Sequence, residues 1–397
     1  MHIRIFDGLG IFIGEKMAQD MEKTNEFKKG LEGVVAGDSR ICLVNGEEGK
    51  LYYRGYRIED LAQNCSFEEV AYLMLYSKLP NKKELAKFSK GLAKARKLPK
   101  EVIKIIKLKA KSANSMEVLR TAVSALAANQ PEVDKLTKDE QIGAGISLIA
   151  KMPVIIAFCN RLKKDMEIVK PDPKLGHAAN FLYMLYGRTP SETETKGMDM
   201  DFVLHAEHSF NASTFSVRIT VSTLSDMYSA FTTGIGVLKG PLHGGAAQEV
   251  GAMMLDIKNP ANTDGYINNI LSQHGKVMGF GHRIYKTYDP RARILNGMAR
   301  KMSEEKKDMA WYDIAQKIER IMQEKKNLYP NVDFYSAIVY KQLGIEMEMN
   351  PAIFAIGRSA GWVAHVMEQY GDNRLIRPLD NYIGDIGLKF VPIDSRK

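Results

Sequence analysis

Strand-forming signals occur in one short stretch near the start of the chain, and helical spacing governs nearly everything after it. Residues 34–44 (VVAGDSRICLV) and 50–53 (KLYY) flank Asn45-Gly46-Glu47-Glu48-Gly49, a pattern that predicts a hairpin or a paired turn. Downstream, Ser66-Phe67-Glu68-Glu69 has the form of a capping box, with Ser66 as N-cap and Glu69 reaching back to its amide. Val70, Leu73 and Met74 then supply an apolar face, and Pro80 closes the run. Helical spacing also fits 116–128, 142–159, 216–236, 310–325 and 352–369. So small a strand element cannot organise a chain of 397 residues, and the expected fold is mainly α with a small β element near the N-terminus. No internal repeat or low-complexity tract breaks the pattern.

A chain of this length has room for two to three domains, and 45% hydrophobic with 26% charged residues suits a globular protein, not a disordered one. Cys42, Cys65 and Cys159 lie far apart, without disulfide or metal-ligand spacing, which suits a reducing, cytoplasmic setting. The longest wholly apolar stretch, around Pro153–Cys159, falls well short of the about 20 residues a spanning helix needs, so no membrane partner is expected. Residues 1–29 read as an N-terminal extension or a misread start, with Met17 and Met21 as other starts.

The formal charge of +9 sits almost wholly in one place. Asn81–Lys111 holds 12 Lys and Arg against 2 Asp and Glu, and the remainder of the chain is close to neutral. Val102, Ile103, Ile105, Ile106 and Leu108 interleave with its lysines, as on solvated amphipathic helices. A basic nucleic-acid-binding module is the rival reading, but Phe88 is the segment's only aromatic residue for stacking on bases, and no nucleic-acid partner is expected.

Two glycine turns interrupt the second half, Gly240-Pro241-Leu242-His243-Gly244-Gly245 and Gly279-Phe280-Gly281-His282. Each places a histidine where a ligand can approach the main chain. Tyr329-Pro330-Asn331-Val332-Asp333 presents a carboxylate just after a proline turn. His2, His177, His274 and His365 have no distinctive context. His205 and His208 lie three apart, a spacing that puts both on one helical face. A metal-dependent hydrolase built on that pair is a further rival. It is disfavoured because HExxH is missing and Glu207 is not at ligand spacing, so no metal is expected. Arg291, Arg358 and Arg377 are candidates for binding a small polyanion, since guanidinium forks pair bidentately with carboxylates.

From about Gly30 to Gly384 the chain resembles citrate synthases of the shorter prokaryotic form. The resemblance is carried, in the family's order and spacing, by GLEGVVAGDSRI, YRGYRIEDLA, SFEEVAYLML, HAEHSFNASTF, GPLHGGA, GFGHRIYKTYDPRA, YPNVDFYSAIVY, FAIGRSAGW and NRLIRP. It implies an acyltransferase of the tricarboxylic acid cycle that condenses acetyl-CoA with oxaloacetate and hydrolyses citryl-CoA, with no cofactor. Asp333 would be the general base, His243 the donor to the enolate oxygen and His282 the group that polarises the oxaloacetate carbonyl. His208, Arg291, Arg358 and Arg377 would bind oxaloacetate, Arg377 across a homodimer interface. Val277, Met278, Gly279 and Gly281 resemble the family's loop for the CoA adenine, with Arg283 and Lys286 as phosphate partners. The implied architecture is two helical domains, a large one from 30–244 and 345–397 and a small mobile one from 245–344 that closes over oxaloacetate.

The chain departs from the family pattern at Asn114-Ser115, at Ala247-Gln248, at Leu379 after Arg377-Pro378, and at Glu207, where the family has Asp. None of these removes a proposed catalytic group. A 2-methylcitrate synthase, which uses propionyl-CoA on the same groups, is the alternative the motifs do not separate.

Overall fold

The computed structural model describes residues 28–128 and 136–396, so the reading of an N-terminal extension falls, up to residue 27, outside the described residues. The chain divides into Met1–Ser39 and a second unit, Arg40–Lys397. In the first, the described residues contain one 3₁₀ turn, Lys29–Leu31.

The second unit opens on the expected hairpin, to which an unexpected third strand is added. Strands β1 (Cys42–Asn45), β2 (Lys50–Tyr53) and β3 (Tyr56–Arg57) pair antiparallel in chain order, with Cys42 opposite Tyr53 and Asn45 opposite Lys50. Asn45 closes the first turn by accepting from the Glu48 amide at 3.1 Å. The strand expected over 34–44 begins only at Cys42. Its partner leaves the ladder at Arg54 and Gly55, which take left-handed φ of 50° and 89°, so the last rung is Arg54 N–H to Ile41 O at 2.8 Å.

Sixteen α-helices follow among the described residues. The first five are α1 (Ile58–Asn64), α2 (Phe67–Tyr76), α3 (Lys82–Ala95), α4 (Lys100–Lys109) and α5 (Ser115–Ala125). Next come α6 (Lys138–Lys163), α7 (His177–Tyr186), α8 (Glu192–His205), α9 (Ala212–Ser222), α10 (Met227–Leu238) and α11 (Ala246–Ile257). The last are α12 (Thr263–Ser272), α13 (Pro290–Lys306), α14 (Ala310–Lys326), α15 (Val332–Leu343) and α16 (Asn350–Gly371). The Ser66–Glu69 capping box opens α2 as expected. The departure at Asn114 is itself an N-cap, its side chain and that of Glu117 bonding reciprocally at the start of α5.

The helix expected over 216–236 is two helices. Leu224 turns left-handed (φ 64°), and the Asp226 carboxylate accepts from the Ser229 amide at 2.9 Å, so a new N-terminus starts there. Helix α16 is the axis of the core, packing against α2, α6, α8, α9 and α10. Two of its glycines permit that approach: a Cβ at Gly361 would lie 2.2 Å from Ala206 O, and one at Gly357 2.9 Å from His205 Cβ. Helix α6 is long and apolar enough by composition to cross a membrane, which the short apolar stretch at 153–159 did not foretell. Most of its apolar window is buried against other helices of the chain, as for a core helix. Helices α11 to α15 pack largely on one another, through α11 on α15, α13 on α15 and α12 on α14.

Candidate active site

The site is assembled from four interruptions of the helices. At the first, α8 ends at His205, and the Tyr53 hydroxyl, wholly buried, lies 3.1 Å from Leu204 O and 2.9 Å from Glu207 O. This turn separates the two histidines expected to share a helical face. His205 stays on α8, its Nδ1 2.9 Å from Asp201 O, while His208 lies beyond the helix with Nε2 3.2 Å from the Tyr285 hydroxyl. Among the described residues no three His, Cys, Asp or Glu side chains gather in a way that could hold a metal ion.

The second interruption carries His243. The Ser213 main-chain N–H donates to His243 Nε2 at 3.3 Å, and Ser213 Oγ lies 2.9 Å from the same atom. A main-chain N–H can only donate, so Nε2 is an acceptor and the proton of the neutral ring sits on Nδ1. Burial, with the Arg358 charge, pushes this imidazole down to about 4.

The third carries His282, and its tautomer is the opposite one. His282 Nδ1 accepts from the amides of Ile284 at 3.0 Å and Tyr285 at 3.1 Å, which leaves the proton on Nε2. Burial and Arg291 push it down to about 4 as well. Its ring centroid is 5.1 Å from that of His208. Burial, then Arg291, holds His208 well below the ordinary histidine range. At neutral pH all three rings are uncharged.

The fourth interruption carries Asp333, in the first turn of α15 behind an Asn331 N-cap. Burial pushes its carboxyl up to about 6, against the pull of His205 and Arg291, and Oδ1 is buried with no hydrogen-bond partner. The backbone binds this turn to the His282 loop. Gly281 N–H donates to Tyr329 O at 3.0 Å, Asn331 N–H to Gly279 O at 2.9 Å, and the Asn331 amide to Gly281 O at 3.1 Å. Gly279 and Gly281 take φ of 81° and 78°, a region glycine enters without strain, and a Cβ at Gly279 would lie 2.8 Å from Phe334. The loop that carries His282 and the turn that carries Asp333 are thus one unit, with Val277 buried, Met278 half-buried, and Arg283 and Lys286 exposed beside it.

Two arginines supply positive charge. Arg291 is held by Asp289, with Nε 3.0 Å from Oδ1 and Nη2 2.8 Å from Oδ2. Arg358, buried on α16, donates from Nε to His205 O at 2.7 Å and has no partner for Nη1. Its guanidinium lies 4.8 Å from the Phe354 ring centroid, a ring that also meets His205 at 4.6 Å and His243 at 6.0 Å. A buried guanidinium with an unpaired nitrogen, beside donor-poised neutral histidines, suits an anionic ligand.

His208, His243, His282, Arg291, Arg358 and Asp333 therefore share one region. Arg377 is not brought to it within the chain; it is exposed, one residue after Ile376, whose N–H donates to Ser222 Oγ at 3.1 Å.

The family described as "Citrate synthase, C-terminal domain" matches residues 30–379. The chain belongs to the citrate synthase family. The citrate synthase of Haloferax volcanii is 44% identical over 94% of this chain and 100% of its own length. A protein named 2-methylcitrate synthase 2, from Corynebacterium glutamicum, is 39% identical over 94% of this chain and 99% of its own. The citrate synthase of Thermoplasma acidophilum, solved as a ternary complex with carboxymethyl coenzyme A and oxaloacetate, aligns at a TM-score of 0.88, with 38% identity over 94% of this chain and 100% of that one. A citrate synthase family member is an acyl-transferring enzyme, and the mainly α fold agrees with that assignment.

Several residues that brace the site's side chains are not among the expected site residues, although Glu207, Ser213, Tyr285 and Asp289 lie inside the citrate synthase motifs. His365, contextless in the sequence, is wholly buried. Its Nε2 lies 3.0 Å from Glu207 Oε1, and its Nδ1 lies 3.1 Å from Arg218 Nη1. Glu207, the departure in His-Ala-Glu-His, is thereby fixed behind His208. Ser213, Asp289 and Tyr285 act similarly on His243, Arg291 and His208. The sequence signals for Ser213 are its place in HAEHSFNASTF and two residues after Asn211, the cap of α9.

Proposed function

We propose that this chain condenses acetyl-CoA with oxaloacetate and hydrolyses the resulting citryl-CoA to citrate and CoA. The observation that carries the reading is the pair of neutral histidines locked by main-chain donors into opposite tautomers, beside a buried carboxylate with an unpaired oxygen. A thioester methyl is a very weak acid, so its deprotonation must be coupled to stabilisation of the enolate oxygen. Asp333 takes the methyl proton while His243 Nδ1–H donates to the thioester oxygen. The carbon nucleophile attacks the oxaloacetate carbonyl, polarised by His282 Nε2–H, which yields its proton to the new alkoxide. Arg291 Nη1 and Arg358 Nη1, with His208, hold the carboxylates, and bringing carbon and carbonyl into line is worth about 7–11 kcal/mol of the barrier. The loop 277–281 with Arg283 and Lys286 receives CoA. Neutral histidine donors are what this sequence needs, since a cationic ring would pair with the base instead of waiting for developing charge.

Free thiol released from acetyl-CoA and from propionyl-CoA in the presence of oxaloacetate tests the substrate. The expected result is a higher kcat/KM for acetyl-CoA; a clear preference for propionyl-CoA would make the enzyme a 2-methylcitrate synthase. One methylene is worth only about 1–3 kcal/mol, so identical catalytic groups can serve either substrate.

The base also sets a pH dependence. Asp333 is raised to about 6, so it is charged, and competent to accept a proton, above that pH. Turnover is expected to fall roughly tenfold per unit as pH drops below about 6, while His243 and His282, near 4, stay neutral across that limb. A pH–rate profile flat down to pH 5 would remove Asp333 from the role.

The exposed position of Arg377 supports a homodimer in which it completes the neighbouring site, two-fold dimers being the commonest closed assembly. Chains carrying Arg377→Ala and chains carrying Asp333→Asn, each inactive alone, should regain activity when unfolded and refolded together. No recovery would place Arg377 in its own chain's site or outside any.

A further inference from the structure

The lysine-rich segment, unused by the chemistry above, forms one wall of a cavity of about 610 Å³. It lies between the C-terminal half of α3 and residues 173–176, and none of its lining residues belongs to the active site. A volume of that order suits a small organic ligand. Lys90 and Lys94 line it from one face of α3, Lys174 from the loop, and Arg96 from just beyond the helix, against a single carboxylate, Glu68.

The lysines of this cavity are not neutralised by carboxylates. Like most lysines of the segment, Lys90 and Lys94 have no carboxylate partner among the described residues, nor has Lys174, but these three share one concavity. Lys90 and Lys94 are four apart, a like-charge spacing that is unfavourable on a helix and that an anion would relieve. Arg96 is 3% exposed, yet its forks meet carbonyls only, Nη1 on Asp172 O and Nη2 on Leu175 O, each at 2.9 Å. These bonds tie the loop to α3 and fix the opening. Glu68 is already engaged, its Oε1 accepting from the His177 amide at 2.7 Å. Lysines on a convex face share no ligand-sized space, whereas these three line one concavity together with the apolar Ala93, Pro173 and Leu175.

We propose that this cavity binds a small phosphorylated organic anion, its phosphates on Lys90, Lys94 and Lys174 and its organic part on the apolar patches. The full-length enzyme is titrated calorimetrically with ATP and, separately, with inorganic tripolyphosphate, at roughly 0.15 M salt to screen distant charge. Saturating CoA and oxaloacetate occupy the active site throughout. One ATP per chain is expected, bound more tightly than tripolyphosphate. The K90E/K94E variant should weaken ATP at least tenfold, about 1.4 kcal/mol, with its kcat unchanged. K104E/K107E, an equal charge change on α4, should weaken it less than threefold. The milder K90Q/K94Q serves if the reversal variant melts early, and it too should weaken binding. Three results would overturn the proposal: no ATP bound with the active site full, equal losses in the α3 and α4 variants, or tripolyphosphate binding as tightly as ATP.

Discussion

Asp333→Asn is expected to lower kcat for condensation by about 10²–10⁴, the range associated with a positioned general base. The substitution is nearly isosteric, and the Asn331 cap, which accepts from the main-chain N–H of residue 333 at 3.1 Å, does not depend on the carboxylate. The three hydrogen bonds between this turn and the His282 loop use Tyr329 and Asn331 on the turn, not residue 333, so the loop keeps its shape. Oxaloacetate binding, read by calorimetry without acyl-CoA, should therefore change little, because on the proposed assignment His208, Arg291 and Arg358 hold that substrate. Losing a carboxyl raised by burial to about 6 also removes an unfavourable buried charge at neutral pH, so the variant should melt no lower than the parent. The acid limb of the pH profile should vanish with the side chain. Undiminished turnover in Asp333→Asn would show that another group takes the proton. A large loss of oxaloacetate affinity would show that residue 333 shapes the second substrate's pocket instead.

What the sequence made legible was local. The Ser66–Glu69 cap, the turn at Asn45–Gly49 and the glycine turns around His243 and His282 each depend on residues within a few positions, and each is present. The strand and helix limits that were misread depended on partners farther away. Residues 34–44 carry strand formers, but the ladder begins only at Cys42 because Arg54 and Gly55 turn away from it. Periodicity runs smoothly through 216–236, yet the Asp226 cap and a left-handed Leu224 divide it. His205 and His208 have helical spacing, but Tyr53, more than a hundred residues upstream, holds the chain where the helix stops. The candidate residue types were visible, while their protonation was not. Nothing in GPLHGG or GFGH says which nitrogen faces a main-chain donor, and that depends on Ser213 in one case and on the turn at Ile284 and Tyr285 in the other. Asp289, which grips Arg291, was adjacent in sequence all along, but a bidentate pair two residues apart has no periodic signature.

The tautomer of His243 leads to the second large effect. Removing the side chain in His243→Ala should lower kcat by about 10²–10³, the cost of deleting one donor to a developing oxyanion. Two smaller amides then separate donor position from mere polarity. The Nδ2 of asparagine overlays histidine Nδ1, and the Nε2 of glutamine overlays histidine Nε2. Since the Ser213 N–H faces Nε2 at 3.3 Å, only Nδ1 can present a proton to the thioester oxygen. His243→Asn retains a donor at that position and should exceed His243→Ala. In His243→Gln the amide nitrogen would meet the Ser213 N–H, donor against donor, and a flip to avoid this turns the carbonyl oxygen there, leaving no donor for the substrate. Glutamine is therefore expected to be no better than alanine, with the separation appearing in kcat and not in the KM for oxaloacetate, which His243 does not hold. The reverse order, glutamine above asparagine, would mean that the ring turns over in the working enzyme and that Ser213 sets its resting orientation alone.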